Sequence, residues 1–347
     1  RTAGEDRDAS AEKGSYLLTD LEEDMLSKVC RAFERVIVVL NVGNIIDMKW
    51  VDKYRPSAVL YTWQGGQEGG HSVADVLTGR VNPCGKLADT IAHDISDYPS
   101  TENFGGDTFD LYTEDIYVGY RYFETFARDK VLYPFGFGLS YTGFGITCSP
   151  AEHRDGETIV RVKVTNTGAL PGKEVVQLYV SDVESTVIRP VKELKGFEKV
   201  ELAPGETKTV TFTLDKRAFA YWNTQLHDWH VETGEFRILI GKSSRDIQLE
   251  AAVTVESTVK VPVHYTMDTT FGDLMKDEKA MQIIAPMMQL NIGGQQNESD
   301  AAAEAISREM MEAMMKYMPI RGILSFAGGK VTLEQLTGLL DQLNAAQ

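Results

Sequence analysis

The chain of 347 residues contains no apolar run of about 20 residues, the length that a membrane-spanning helix needs, so no membrane partner is expected. Three cysteines, Cys30, Cys84 and Cys148, are widely spaced and form no CxxC pair. This spacing argues against a disulfide framework and favours reduced thiols in a cytoplasmic protein. No His/Cys/Asp cluster has metal-ligand spacing, so neither a metal nor a cofactor is expected. The first residues include neither a methionine nor an apolar leader core, and we expect the gene product to begin upstream.

Positive charge is scarce relative to negative charge. The formal net charge is −16 at pH 7. A surface this acidic repels phosphate backbones, which argues against a nucleic-acid partner. Neutral sugars are not repelled, so a carbohydrate ligand remains compatible with the composition.

The first part of the chain alternates between helical and strand patterns. Thr19 and Asp20 form a helix N-cap signal, and apolar residues then recur at helical spacing: Leu21, Met25, Val29 and Phe33. Residues 35–41 and 58–63 are β-branched and apolar runs of the kind buried on both faces of a parallel sheet. Further helices are predicted near residues 48–54 and 70–77. The pattern predicts an open α/β sheet with helices on both sides, spanning residues 1–146.

The pattern changes twice after residue 146. Residues 159–165 and 210–214 alternate with period two, 174–180 and 236–240 are further strand candidates, and turn signals such as Pro204-Gly205 separate such runs. These features predict an antiparallel β-sandwich over residues 147–256. Residues 257–347 are predicted to be a helical tail with helices at 271–286, 299–317 and 332–343.

A glycine-rich loop, WQGGQEGG, follows the second predicted strand at residues 63–70. Ligands in open α/β sheets bind at such strand ends. The loop lacks the GK[ST] ending and the GxGxxG order, so a phosphate loop is not favoured. His71, at its end, is a candidate proton shuttle without an evident partner.

Four distinctive blocks follow downstream: ADVLTGRVNPCGKL at 74–87, YTEDIYVGYRYF at 112–123, PFGFGLSYT at 134–142, and NTG with GKEVVQLYV and KELKGF at 166–197. Together they resemble blocks of family 3 of the glycoside hydrolases. Their order along the chain is that of the family's α/β domain and its fibronectin-III-like domain. The chain departs from the family pattern at two positions. Cys84 stands where the family usually has Ser or Ala, and Ala88 stands where it usually has Pro.

The resemblance implies a retaining exo-β-glycosidase with two catalytic carboxyl groups. In the family, an aspartate nucleophile lies on a preceding barrel domain, which is not among these 347 residues. The acid/base is a glutamate in a segment of the form RxSGEGxD. Residues 1–8, RTAGEDRD, match that form, which makes Glu5 the predicted acid/base. The chain alone is then expected to be inactive.

Other polar residues are weaker candidates. Glu68 is expected to orient the glycine loop, and Glu114 or Asp115 to support the turn before Ile116. Arg7 and Tyr112 are candidates for binding the substrate on its leaving-group side, although each is also interpretable as a structural partner.

The resemblance implies a β-glucosidase that acts on an oligosaccharide or aryl β-glycoside, with the barrel of the same enzyme as partner. A β-xylosidase or a multifunctional β-glycosidase of the family is the first alternative. A non-catalytic carbohydrate-binding or scaffolding module is the second. The sequence is also compatible with a homo-oligomer.

Overall fold

The computed structural model describes residues 10–105, 108–154, 156–288, 316–326 and 331–345. The chain divides into two compact units: residues 1–223 with 227–259, and residues 224–226 with 260–347. Within the described ranges, no helix is long and apolar enough to cross a membrane. The predicted fold class is confirmed, because an α/β region, an antiparallel sandwich and C-terminal helices follow one another.

The first helix, α1 (Asp20–Ala32), begins at the predicted cap. The Glu22 amide donates to Thr19 Oγ1 at 3.2 Å, and the Thr19 amide donates to the Glu22 carboxylate at 2.8 Å. This reciprocal pair satisfies two amide groups at the start of the helix. Leu26 is the buried side chain of α1, whereas Leu21, Met25 and Phe33 of the predicted apolar stripe are exposed.

The predicted parallel strands are present as β1 (Ile37–Leu40) and β2 (Ala58–Tyr61), with α2 (Trp50–Tyr54) between them and α3 (Gly69–Leu77) after them. One face of this strand pair is packed. Leu40 and Val38 lie in a core with Leu26 of α1 and Trp50 of α2. Both helices therefore cover the same face of the sheet.

The prediction that β1 is buried on both faces is wrong for the described part of the chain. Ile37 and Val39, which point away from the core, are 54% and 40% exposed. Burial of the second face requires another layer of structure, and the local sequence of a strand cannot specify whether that layer is present.

The rest of the α/β region leads to the sandwich. It consists of β3 (Ile91–Ala92), α4 (Tyr120–Phe126) and β4 (Val131–Tyr133), with 3₁₀ turns at Ile95–Asp97, Pro99–Glu102 and Arg128–Lys130. β3 pairs antiparallel with β4.

The sandwich comprises β5 (Phe144–Cys148), β6 (Glu152–Arg154), β7 (Glu157–Asn166), β8 (Gly172–Asp182), β9 (Glu193–Leu202), β10 (Thr207–Leu214), β11 (Tyr221–Asn223), β12 (Asp228–His230), β13 (Gly234–Gly241) and β14 (Ile247–Val255). One sheet has the order β10-β7-β5, with β6 also on β7, and the other has the order β14-β13-β8-β9. A short 3₁₀ turn, Lys216–Ala218, precedes the β11–β12 hairpin. Alternate residues of both sheets, such as Val162 and Ile238, form the core between them.

The second unit contains α5 (Phe271–Leu274), α6 (Glu278–Met288), a 3₁₀ turn (Ile320–Gly322), α7 (Ile323–Phe326) and α8 (Leu333–Ala345). The single helix predicted over 271–286 is wrong: two helices occupy this stretch. Asp277 Oδ1 accepts from the Lys279 amide at 2.8 Å, and this cap starts a new helix. The predicted helix at 332–343 is confirmed as α8, while most of the one at 299–317 lies outside the described residues.

Candidate functional site

Glu5 and Arg7, two of the three predicted site residues, lie outside the described residues. The segment that follows them is described and is held in a tight turn. Gly14, with a φ of +88°, donates its amide to the Leu17 carbonyl at 2.9 Å, and the Ser10 amide donates to Ser15 Oγ at 2.9 Å. Tyr16 is buried, and its carbonyl accepts from the Asp47 amide at 3.0 Å. Residues 10–18 are therefore fixed against the loop that follows β1.

The loops after β1 and β2 leave the same edge of the sheet because the two strands are parallel. A side chain of the second loop reaches the first: a Cβ on Gly43 would lie 2.8 Å from the side-chain Nε2 of Gln64. Within the second loop, a Cβ on Gly65 would lie 2.8 Å from the Gly69 Cα. The clash at Gly65 is with backbone, so a side chain there would distort this loop, whereas at Gly43 the flexible Gln64 side chain would have to move. Gly65 is therefore explained by close backbone approach and needs no phosphate ligand.

Ion pairs of Lys49 connect the loops at this edge. Lys49 Nζ lies 2.8 Å from an Asp94 oxygen and 3.7 Å from an Asp47 oxygen. The hydrogen bond from Lys49 lowers the pKa of Asp94 to about 2, whereas burial raises the pKa of Asp47. These residues stabilise the loops around Tyr16.

A buried phenol supports the same edge. The Tyr98 hydroxyl donates to the Thr90 carbonyl and accepts from the Ala92 amide, each at 2.9 Å. Burial raises the pKa of Tyr98 to about 12, and burial also raises the pKa of Tyr16. Both phenols are therefore neutral near pH 7 and act as hydrogen-bonding groups.

Glu68 and His71 form a contact of their own at the start of α3. His71 Nδ1 lies 2.5 Å from a Glu68 oxygen, and both side chains are largely exposed to solvent. An acid/base residue in glycoside hydrolysis needs a site that is partly shielded from water. Neither residue has such surroundings here, so the geometry gives no support to a proton shuttle at His71.

Tyr112, the third predicted site residue, lies on the loop that precedes α4. Its side chain is 85% exposed, and its neighbours Phe109, Leu111 and Val118 are exposed as well. The backbone turns twice here: the Asp115 amide donates to the Tyr112 carbonyl at 3.4 Å, and the Tyr117 amide donates to the Glu114 carbonyl at 2.8 Å. The loop presents a mainly apolar surface to solvent.

The sequence blocks that carry the family resemblance lie largely where the α/β region meets the sandwich. The Tyr120 hydroxyl accepts from the Leu194 amide at 2.7 Å, and its ring stacks on Phe135 with centroids 4.6 Å apart. Gln177 donates to the Gly136 carbonyl at 3.3 Å and to the Lys242 carbonyl at 2.7 Å. These blocks join two domains and do not themselves form a catalytic cluster.

Glu124 is a buried ion-pairing residue of this junction that sequence reasoning missed. Its side chain is 2% exposed, and its carboxylate lies 2.7 Å from Arg245 Nε, 3.0 Å from Lys192 Nζ and 3.6 Å from Arg128 Nε. Burial lowers the pKa of Lys192 against the opposing effect of Glu124. In the sequence, Glu124 has no distinguishing feature, because its partners are up to 121 positions away.

Metal binding receives no support from the described ranges. In them, no group of three or more His, Cys, Asp or Glu side chains could hold a metal ion.

Comparison with known families identifies both domains. Residues 1–141 match the glycosyl hydrolase family 3 C-terminal domain, and residues 174–244 match a fibronectin type III-like domain. The chain therefore belongs to family 3 of the glycoside hydrolases, as the C-terminal domain of that family with its fibronectin type III-like domain.

Individual relatives agree with this assignment. The chain is 46% identical to thermostable β-glucosidase B of Acetivibrio thermocellus over 325 residues, which cover 92% of the chain and 42% of that protein. It is 39% identical to the exo-α-(1→6)-L-arabinopyranosidase of Bifidobacterium breve, covering 88% of the chain and 39% of that protein. β-Glucosidase 3B of Thermotoga neapolitana, in complex with α-D-glucose, superposes with a TM-score of 0.70 at 39% identity over 74% of this chain and 36% of that one.

The chain spans less than half the length of these relatives. Within those relatives, the family's C-terminal domain is the part that residues 1–141 match. The match to the Acetivibrio protein covers enough of the chain to include part of the helical tail.

Proposed function

We propose that this chain supplies the general acid/base, Glu5, of a retaining β-glucosidase. The nucleophile, an aspartate, belongs to a barrel domain of the same enzyme that lies outside these 347 residues. The observation that carries the proposal is the match of residues 1–8 to the family's acid/base segment, at the start of a chain whose remaining blocks match the family in order.

The position of the following segment supports this role. Ser10 and Tyr16 are held beside the loop after β1, at the carboxyl edge of the parallel strands. Ligands of open α/β sheets bind at this edge. Glu5 stands five positions before Ser10 in the sequence.

The chemistry divides between the two carboxyl groups. Glu5 protonates the departing glycosidic oxygen while the aspartate attacks the anomeric carbon and forms a covalent glycosyl-enzyme. Glu5 then removes a proton from water, which attacks the same carbon and releases the sugar with its configuration retained. Glu5 needs a raised pKa for the first step, and a pocket closed by the rest of the enzyme would supply it.

Arg7 and Tyr112 are proposed to line the leaving-group side. The exposure of Tyr112 on an apolar loop supports this proposal. Aromatic side chains are enriched at binding surfaces. In the full-length enzyme, Tyr112→Ala should raise KM for oligosaccharides more than it lowers kcat. An unchanged KM would count against a role for Tyr112 in binding.

The test for Glu5 compares leaving groups in the full-length enzyme. Glu5→Ala should lower kcat/KM for cellobiose on the order of 10²- to 10⁴-fold, because its leaving group needs protonation. A dinitrophenyl β-glucoside, whose leaving group needs no proton, should lose far less in the glycosylation step. Glu12→Ala removes an exposed carboxylate on the same segment and should leave both rates unchanged. Equal losses for both substrates would refute the assignment.

Two alternative functions can be tested alongside this proposal. The sugar could be xylose or arabinose, and the arabinopyranosidase among the relatives favours measuring a panel of aryl glycosides. A non-catalytic module would instead be indicated if the intact source protein had a mass near 38.6 kDa.

A further inference from the structure

Trp63 has an unusual backbone conformation for a large residue. In the described ranges, four non-glycine residues have a positive φ: Arg55, Trp63, Asp115 and His227. Trp63, with a φ of +54°, is the bulkiest of them. The left-handed region is costly for L-residues, and bulky residues rarely adopt it. Glycine would adopt this turn without strain, so the turn itself does not call for an indole.

The strained residue lies at the carboxyl end of β2. Thr62 precedes it and donates twice to the Leu40 carbonyl, from its amide at 2.9 Å and from its hydroxyl at 2.8 Å. These bonds fix the chain at the last residue of β1, and the left-handed turn follows directly. Strained residues that their surroundings hold in place cluster at active sites and ligand clamps. Ligands of open α/β sheets bind at this edge of the strands.

Two hydrogen bonds connect this strand end to the segment that follows the proposed acid/base. The Tyr61 hydroxyl donates to the Asn44 carbonyl at 2.5 Å, which ties the end of β2 to the loop after β1. The same loop holds the segment after the acid/base, because the Asp47 amide donates to the Tyr16 carbonyl at 3.0 Å. The fold therefore brings Trp63 and the acid/base segment to the same edge of the sheet.

The indole of Trp63 is oriented but not enclosed. Its ring lies against the Tyr61 ring, with centroids 4.6 Å apart and planes tilted by 46°. Trp63 is half-buried, so part of its ring is accessible to a ligand. An indole offers a flat apolar surface and one N–H donor. These two properties match the C–H face and the hydroxyl groups of a sugar ring.

We propose that Trp63 contacts the leaving-group unit of the substrate and sets the preference for that unit. This inference rests on the proposed function, because Glu5 protonates the oxygen of the leaving group and the neighbouring loops therefore face that unit. A second sugar or an aryl group has a face that packs on the indole, whereas a small alkyl group has none. Trp63 thus favours cellobiose over methyl β-glucoside.

Steady-state kinetics of the full-length enzyme test the proposal with these two substrates, which share the glucosyl unit. Trp63→Gly removes the ring and accepts the positive φ. It should raise KM for cellobiose about 10-fold and keep kcat, because the lost contact contributes to binding alone. KM for methyl β-glucoside should change by less than about 2-fold, since this substrate has no second ring to bind. Trp63→Phe keeps an aromatic ring and should recover most of the affinity for cellobiose.

Arg55→Gly is the matched control. Arg55 is exposed and has a φ of +49° at the opposite end of β2, so this variant relieves the same kind of strain away from the carboxyl edge. It should leave both KM values unchanged. Equal changes for both substrates in Trp63→Gly, or an unchanged KM for cellobiose, would overturn the proposal. So would a lower kcat with both substrates together with a lower melting temperature, which would assign the indole to the fold.

Failure of the proposed function has a different signature. A wild-type enzyme that hydrolyses neither cellobiose nor methyl β-glucoside would refute the proposed function, and this inference with it. A wild-type enzyme that hydrolyses both, with Trp63→Gly unable to tell them apart, would refute the inference alone.

Discussion

At the scale of single residues, the carboxyl edge of the parallel strands depends on Lys49. Its ammonium group contacts Asp94 directly and Asp47 at longer range, and these contacts fix the loops beside Tyr16. The pKa of Asp94 falls from its ordinary 3.8 to about 2 because Lys49 and Ser96 stabilise the carboxylate. An acid with a lowered pKa in the folded state stabilises the protein above its unfolded pKa.

The acid dependence of stability follows from this pKa. The contribution of Asp94 should be complete above about pH 4 and lost as the pH falls to about 2. Because the pair is nearly half exposed, solvent screening limits it to about 1 kcal/mol. Asp94→Asn should therefore lower stability at pH 7 but not below pH 2, as measured by urea unfolding across pH. Lys49→Met should flatten the acid profile in the same way; an unchanged profile in Asp94→Asn would contradict the account.

Some residue-level features could be predicted from the sequence because their physics is local. Thr19 and Glu22 are three positions apart, and the capping box that they form needs no other part of the protein. Glu124 is the opposite case. Its role depends on Arg245 and Lys192, which only the folded chain brings to it.

At the scale of elements, Glu124 joins α4 to the sandwich. Replacing Glu124 with Gln should destabilise the protein by about 3 kcal/mol, because Lys192 would remain buried without its anion. Urea unfolding measures the loss. The exposed pair of Glu152 and Arg161 gives the control, since Glu152→Gln should cost less than about 1 kcal/mol.

A double variant sharpens this prediction. Adding Lys192→Met to Glu124→Gln removes the stranded charge and should recover part of the lost stability. Additive losses would show that Lys192 is not coupled to Glu124.

Helices and strands were predicted best where the signal lies in the local sequence of the element itself. The parallel pairing of β1 and β2 follows from the strand–helix–strand order, and the sandwich strands follow from their period-two alternation; the structure confirms both. The break between α5 and α6 was missed because one capping carboxylate, Asp277, interrupts an otherwise continuous helical pattern. The exposure of Ile37 and Val39 was missed because burial depends on layers that the strand's own sequence does not encode.

At the scale of the whole molecule, the family blocks describe a junction more than a catalytic centre. Tyr120, Phe135 and Gln177 join the α/β region to the sandwich. The family could be identified from these blocks. The surroundings of Glu5 could not be derived from them, because residues 1–9 lie outside the described residues.

The most direct measurement of the central claim uses azide as a nucleophile that needs no base. The full-length Glu5→Ala enzyme, given a dinitrophenyl β-glucoside and azide, should release glucosyl azide in the β configuration, identified by ¹H NMR. The azide replaces the water that Glu5 would activate, so turnover should rise with its concentration. If the variant hydrolyses cellobiose at the wild-type rate and forms no glycosyl azide, Glu5 is not the acid/base.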